Sequence, residues 1–176
     1  MTRYENNYEV PAKSRQELRS IAKQFRKVLG INTPYFPVPQ VFEVLELVGI
    51  HGDVVDDDTW NKFYGCDKYA EYDLKEKIIS IRESVYDAAI AGSGRDRFTM
   101  AHEIAHALLL DNHNVKVCRS TDLSPTKTYC NPEWQADCLA GELLVPYDKC
   151  KDMSEQEIVE KCKVSYEAAK YQKSKF

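Results

Sequence analysis

Between Arg97 and His106 the chain reads Arg-Phe-Thr-Met-Ala-His-Glu-Ile-Ala-His. Two histidines four apart, with a glutamate directly after the first, are types and spacings that can do chemistry. On an α-helix, residues four apart share a face, so His102 and His106 can aim two imidazole nitrogens at one metal ion. Glu103 stands about 100° further round the helix, where it can reach a water held at that ion. Zinc would lower the pKa of this water towards about 7 and polarise a substrate carbonyl. Glu103 would take the proton and later hand it to a leaving amine. This is the mechanical content of the H-E-x-x-H spacing in hydrolytic zinc sites. The blander alternative is an amphipathic helix with two structural histidines. It leaves two imidazoles and a carboxylate to be buried without partners, which is costly.

The neighbouring residues supply the helix that the spacing needs. Ser93 and Asp96 stand in capping-box spacing. Phe98, Ala101, Ala105, Leu108 and Leu109 form an apolar stripe at helical spacing, with no proline to interrupt it. A catalytic zinc takes three protein ligands and leaves one position for water. The extended metzincin pattern would require Gly at 109 and His at 112. The chain has Leu109 and Asn112, and His113 is one place off. Asp111, His113, Asp122, Glu133 and Glu142 all compete as third ligand. The best placed is Glu133, on a helix predicted to start with Asn131 as N-cap and Pro132 at its first position, and to end at Pro146. Glu133 and Asp137 share a face of that helix. Glu133 can bind the metal while Asp137 hydrogen-bonds a ligand histidine from behind. The helix dipole accounts for a glutamate in the first turn but not for its pairing with Asp137. Glu142, nine residues on, cannot easily share the metal-facing side.

Taken together, R-F-T-x-A-H-E-x-x-H and the downstream run through Glu133, Ala136, Asp137, Ala140, Leu143, Leu144 and Pro146 resemble the ImmA/IrrE metallopeptidase family. The strand-like Ile78-Ile79-Ser80-Ile81 before the motif also fits. The resemblance is strong from Ile78 to Pro146 and weaker outside. It implies an α+β, zincin-like domain, with a small sheet packed on the H-E-x-x-H helix and a Glu-bearing helix, flanked by further helices. It also implies one zinc ion on His102, His106 and Glu133, with Glu103 as catalytic base. The implied activity, of the anti-repressor type, is a limited regulatory cut in a helix-turn-helix repressor of a mobile element or stress operon. The chain departs from the usual family pattern at Asp137 (often Asn), Leu139 (often Phe) and Val145 (often Met), and none of these changes removes a ligand. A second donor for the transition-state oxyanion stays open among Tyr147, Tyr129, Arg97 and His113. By the same resemblance, Ile78–Ile81 is expected as an edge strand that pairs with an extended substrate. A different class of function is a binding module that holds a repressor or a toxin–antitoxin partner without cutting it. The intact Glu103 argues against that, because a pure binder needs no base. A third reading is a metal-dependent hydrolase of a non-peptide amide.

The rest of the chain sets the frame. Its 176 residues suffice for one compact domain, read as residues 1–176 with a helical part near 14–49, a catalytic core near 69–146 and a helical cap near 154–173. A formal charge of −4 offers no basic excess for a phosphate backbone, so direct nucleic-acid binding is not expected. The first residues lack an apolar signal core, and no apolar run is long enough to span a bilayer. Six cysteines without a C-x-x-C read as reduced thiols in a cytoplasmic setting. Ser14 and Glu17 form a capping box before Leu18, Ile21, Ala22, Phe25, Val28 and Leu29, and Gly30 closes that helix. The proline-rich stretch from Thr33 to Pro39 reads as a stiff connector, and a helix is predicted from Gln40 to Val48. Residues 50–74 read as irregular with short strands, and Asp56-Asp57-Asp58 as a solvated turn. Tyr69–Asp73 and Lys77–Ile81 suggest a hairpin, Val115–Cys118 a short strand, and 120–129 a loop. Ser154–Glu157 is another capping box. The tail has a helix-turn-helix outline, but its second helix offers only Tyr166, Glu167, Lys170, Gln172 and Lys173, so a packed cap is expected.

Overall fold

The computed structural model describes residues 8–110, 118–119 and 127–176. A two-residue strand β1 (Tyr8–Glu9) pairs antiparallel with β5 (Cys118–Arg119). Helix α1 (Arg15–Val28) starts at the expected capping box. Ser14 Oγ accepts from the Glu17 N–H, and the Glu17 carboxylate accepts from the Ser14 N–H at 2.7 Å. Leu18, Ala22 and Phe25 turn into the core. Gly30, with φ +69°, lets the chain leave the helix in the left-handed region. Helix α2 (Val38–Val44) begins inside the stretch read as a connector. Pro39 falls in its first turn, where a missing N–H costs nothing. A 3-10 turn, Leu45–Val48, follows and ends at Gly49.

The main sheet has three strands in the order β2 (His51–Val55), β4 (Ile78–Arg82), β3 (Ala70–Asp73). β3 and β4 form the expected hairpin, with Tyr72 opposite Ile79. The Asp73 carboxylate closes the turn by accepting from the N–H groups of Lys75 and Glu76. β2 runs parallel to β4 on its other side. The strand expected at the edge, Ile78–Ile81, is therefore the central one, and β3 is an edge. The residues explain why. Ile79, Ser80 and Ile81 are all buried, a continuous run typical of a strand covered on both faces. Between β2 and β3 lies helix α3 (Asp57–Phe63), where a solvated turn was expected. The aspartates are its N-terminus: Asp56 caps the Thr59 N–H at 2.9 Å, and Asp57 pairs with Arg82 at 2.8 Å.

Helices α4 (Glu83–Ile90) and α5 (Gly94–Leu110) then pack on this sheet, and α6 (Pro132–Leu144), α7 (Tyr147–Cys150), α8 (Glu155–Cys162) and α9 (Tyr166–Lys173) follow, making the fold α+β. Helix α5 is central: it packs on α6, on β3 and β4, and on α2 and α4. Met100, Ala101, Ile104, Ala105 and Ala107 are buried along it. α1 covers another face of α6 and is tied to it by Arg19, which donates to Glu142 at 2.9 and 3.1 Å. α8 opens on the Ser154 capping box and ends at Lys163 in the left-handed region. No helix among the described residues is long and apolar enough to cross a membrane.

Arg97 joins these parts. The residue is 1% exposed, and its guanidinium donates to the backbone carbonyls of Phe36 at 2.9 Å and Cys162 at 3.2 Å, and to that of Lys163. One side chain on α5 thus holds both the entry to α2 and the α8–α9 turn. Arg97→Leu should strip buried carbonyls of their donor and lower unfolding stability by about 3 kcal/mol, the scale of lost charge-assisted hydrogen bonds. Urea melts of both proteins measure this. A change below about 0.5 kcal/mol, the range of ordinary surface substitutions, would contradict the bridging role.

Candidate metal centre

One turn apart on α5, the Nε2 atoms of His102 and His106 lie 3.0 Å from each other, with their rings near perpendicular. Helix α6 brings the third group. Asn131 caps it by accepting from the Trp134 N–H at 3.0 Å, and Pro132 takes the first turn. This fixes where Glu133 leaves the helix. Glu133 Oε2 stands 3.3 Å from His102 Nε2 and 3.5 Å from His106 Nε2. One turn later, Asp137 Oδ1 lies 2.9 Å from His102 Nδ1. A proton on Nδ1 satisfies Asp137 and points Nε2 of His102 toward His106 and Glu133.

These distances can be tested against a metal. Four donors placed tetrahedrally at about 2.0–2.1 Å from one zinc ion are separated by about 3.3 Å. The edges here are 3.0, 3.3 and 3.5 Å. The donor set of two imidazoles and a carboxylate suits zinc. Among the described residues, His102, His106 and Glu133 are the one cluster that could hold a metal ion.

Electrostatics points the same way. Burial pulls the His102 imidazole down, but its hydrogen bonds to Asp137 and Glu133 outweigh this and push it up to about 10. Hydrogen bonds from His102 and His106 hold the Glu133 carboxylate far below its usual range. Without a metal this keeps a second proton on His102, at Nε2 toward Glu133, and an ion held there would take that proton's place. Burial raises the Glu103 carboxyl above its usual range, against the pull of His106 and His102. Glu103 lines a cleft of about 260 Å³ together with His102, His106 and Glu133, and Ala70, Glu71 and Tyr72 of β3 form part of its wall.

The competing residues fall elsewhere. Glu142 lies nine residues past Glu133, about 180° round the helix. It is 1% exposed and held by Arg19 and Arg15. Asp111, His113 and Asp122 lie outside the described residues. Of the groups weighed as oxyanion donors, Arg97 is buried on backbone carbonyls. Tyr147 packs under Arg19 and against Phe176, beside Glu142. Tyr129 is exposed and does not line the cleft, and His113 is again outside the described residues. Sequence reasoning missed Lys68, which lines the cleft and pairs with Glu71 at 2.9 Å. A lysine before a short strand gives no signal of that position. Among the described residues no cysteine joins a metal-binding cluster: Cys150 and Cys162 are buried together, Sγ to Sγ 3.6 Å, in the α7–α8 region.

Comparison with known proteins adds three findings. The family model described as the IrrE N-terminal-like domain matches residues 82–174, which span both helices of the centre. No curated protein matches the chain. The solved structure of a Mycobacterium tuberculosis transcriptional regulator is similar in fold, with a TM-score of 0.56 at 19% identity. That match covers 88% of this chain and 45% of the other, so the chain spans under half of that regulator's length.

Proposed function

This chain belongs to the IrrE N-terminal-like domain family, and from that premise we propose that it is a zinc-dependent endopeptidase that makes a limited, regulatory cut in a protein substrate. The substrate class proposed is a helix-turn-helix transcriptional repressor, met in the cytoplasm. The observation that carries the reading is the convergence of three donor atoms from two helices, with Glu103 on the adjoining cleft. The catalytic core is taken as about 69–146, within a single domain spanning 1–176.

His102, His106 and Glu133 would hold the ion, and Asp137 would fix the His102 ring through Nδ1. When bound, zinc supplies Lewis-acid polarisation of a carbonyl and a lowered pKa for water. Glu103 takes the proton of the attacking water and returns it to the departing amine. Its burial-raised carboxyl is suited to both steps, because a base works best with a pKa closer to the working pH. The outer edge of β3, which forms the cleft wall, can pair with an extended peptide. This is the role the family resemblance implied for Ile78–Ile81.

Two outcomes are expected of variants. Glu133→Ala should nearly abolish retention of metal, and Asp137→Ala should weaken it by about 10- to 100-fold. Elemental analysis of protein purified without chelator measures both, and the reverse order would overturn the ligand assignment. Glu103→Gln should keep its metal and its fold. Its cleavage of a co-encoded repressor should drop by about 100-fold or more. Equal inactivation of the repressor by both proteins, with the repressor left uncut, would replace the peptidase by a binding module.

A further inference from the structure

A second chamber, of about 220 Å³, lies between α6 and α9 beside the first turns of α5. Its wall is mostly apolar, built from Trp134, Leu144, Val145 and Val164. It is smaller than the roughly 300–1,000 Å³ of clefts that take whole small molecules, a size for one large side chain and its peptide group. Its polar lining is of three kinds. Arg15 is paired with Glu142 at 3.6 Å and offers no free cation. Asp137 is exposed and holds His102 Nδ1 through Oδ1 at 2.9 Å, which leaves Oδ2 to accept. Gln172 is 3% exposed, and among the described residues its Nε2 finds no hydrogen-bond partner. Native proteins rarely leave a buried donor so.

Gly141 shows that the position of Gln172 is built in. Glycine weakens the interior of a helix, and Gly141 stands within α6. A Cβ on Gly141 would come within 2.7 Å of Gln172 Oε1. Helix stability is thus given up to let the amide lie against α6. The chamber therefore offers one N–H donor, one carboxylate acceptor and an apolar wall. An anion would meet Asp137 with no cation to offset it, and a bare cation would leave the Gln172 donor unpaired. An uncharged peptide group carries what both need, a carbonyl for Gln172 and an N–H for Asp137.

We propose that this chamber is a specificity pocket, which takes an aromatic or branched apolar side chain of the protein substrate together with its peptide group. The proposal rests on the reading that the metal centre acts on a protein. Its position supports it, because the chamber adjoins that centre. Phe98, which lines it, has its ring 6.3 Å from the His102 ring, and Trp134 follows Glu133 on α6. An occupant sits one side chain away from the histidine pair, while its own contacts require no metal.

The test has two readouts. The first is a titration of the full chain with N-acetylphenylalaninamide, followed through the methyl NMR signals of Leu144, Val145 and Val164, with and without chelator. Saturable shifts are expected under both conditions, and none with N-acetylglycinamide. Ala168 is exposed on the rim, so Ala168→Phe should plug the chamber and abolish the shifts. Gln172→Leu keeps the apolar volume and removes the donor. It should weaken N-acetylphenylalaninamide about fivefold, the scale of one neutral hydrogen bond, and should not weaken ethylbenzene, which has no peptide group. Thermal melts check that both variants fold. The second readout is mass spectrometry of a mixed library of capped peptides after incubation with the metal-loaded chain. Cuts should fall at a fixed distance from a bulky apolar residue, and Ala168→Phe should remove that preference. The proposal is overturned if no methyl shift saturates, if shifts survive Ala168→Phe, if ethylbenzene is weakened as much as the amide, or if cuts show no apolar preference. Shifts as expected with no peptide cut would instead overturn the peptidase reading, and leave the chamber as a peptide-binding pocket.

Discussion

The close packing of α5 on α6 is the constraint on which the rest depends. Both helices turn small side chains inward: Ala101 and Ala105 on one, Ala136 and Ala140 on the other, all fully buried. Packed helices approach to about 8–10 Å according to the side chains at the seam. Small residues bring the backbones to the near end of that range. A glutamate and a histidine reaching from different helices can then meet at 3.3 Å. The end of α6 is fixed as firmly as its face. Asn131 caps it, and the buried Gln135 donates to the carbonyls of Pro11 and Tyr129 at 2.9 and 2.7 Å. Glu133 therefore leaves from a first turn that cannot fray, where the helix dipole favours its negative charge.

The same seam explains the polar order around it. Glu142, on the far side of α6, would be an unpaired buried charge without Arg19 and Arg15 from α1. Arg97, on α5, gathers carbonyls from two separate segments. The α8–α9 pair is drawn in by the same helices: Ile158, Cys162 and Ala169 are buried, and Gln172 lies against Gly141 of α6. Two of the five side chains that a helix-turn-helix reading would offer to DNA are engaged within the chain, Gln172 in this contact and Lys173 on the Met153 carbonyl.

What could be read from the sequence was local. The H-E-x-x-H spacing, the Ser14 and Ser154 capping boxes, Asn131-Pro132 and the β3–β4 hairpin each depend on residues within a few places of one another. The structure has them where those rules put them. What could not be read was non-local. β2 carries Gly52 and Asp53 and is mostly exposed, so nothing in its pattern announces a parallel partner for β4. Placing β4 at the edge followed from not seeing that partner. Helix α3 was hidden because Asp56-Asp57-Asp58 serves equally as turn and as helix start. The Arg19–Glu142 pair spans 123 positions, and no spacing rule reaches that far. Within the candidate centre, the positions of Glu133 and Asp137 on one helical face were legible. Lys68 and the β3 wall of the cleft were not, because they depend on how the sheet folds over α5.

The central claim is that two imidazoles and one carboxylate, from two helices, share a single metal ion. X-ray absorption at the zinc edge of the purified, metal-loaded chain tests it in one measurement. The expected spectrum has only nitrogen and oxygen neighbours at about 2.0–2.2 Å, with the multiple-scattering signature of two imidazoles. A sulfur shell at about 2.3 Å, or a spectrum without imidazole scattering, would place the metal elsewhere in the chain and contradict the centre described for His102, His106 and Glu133.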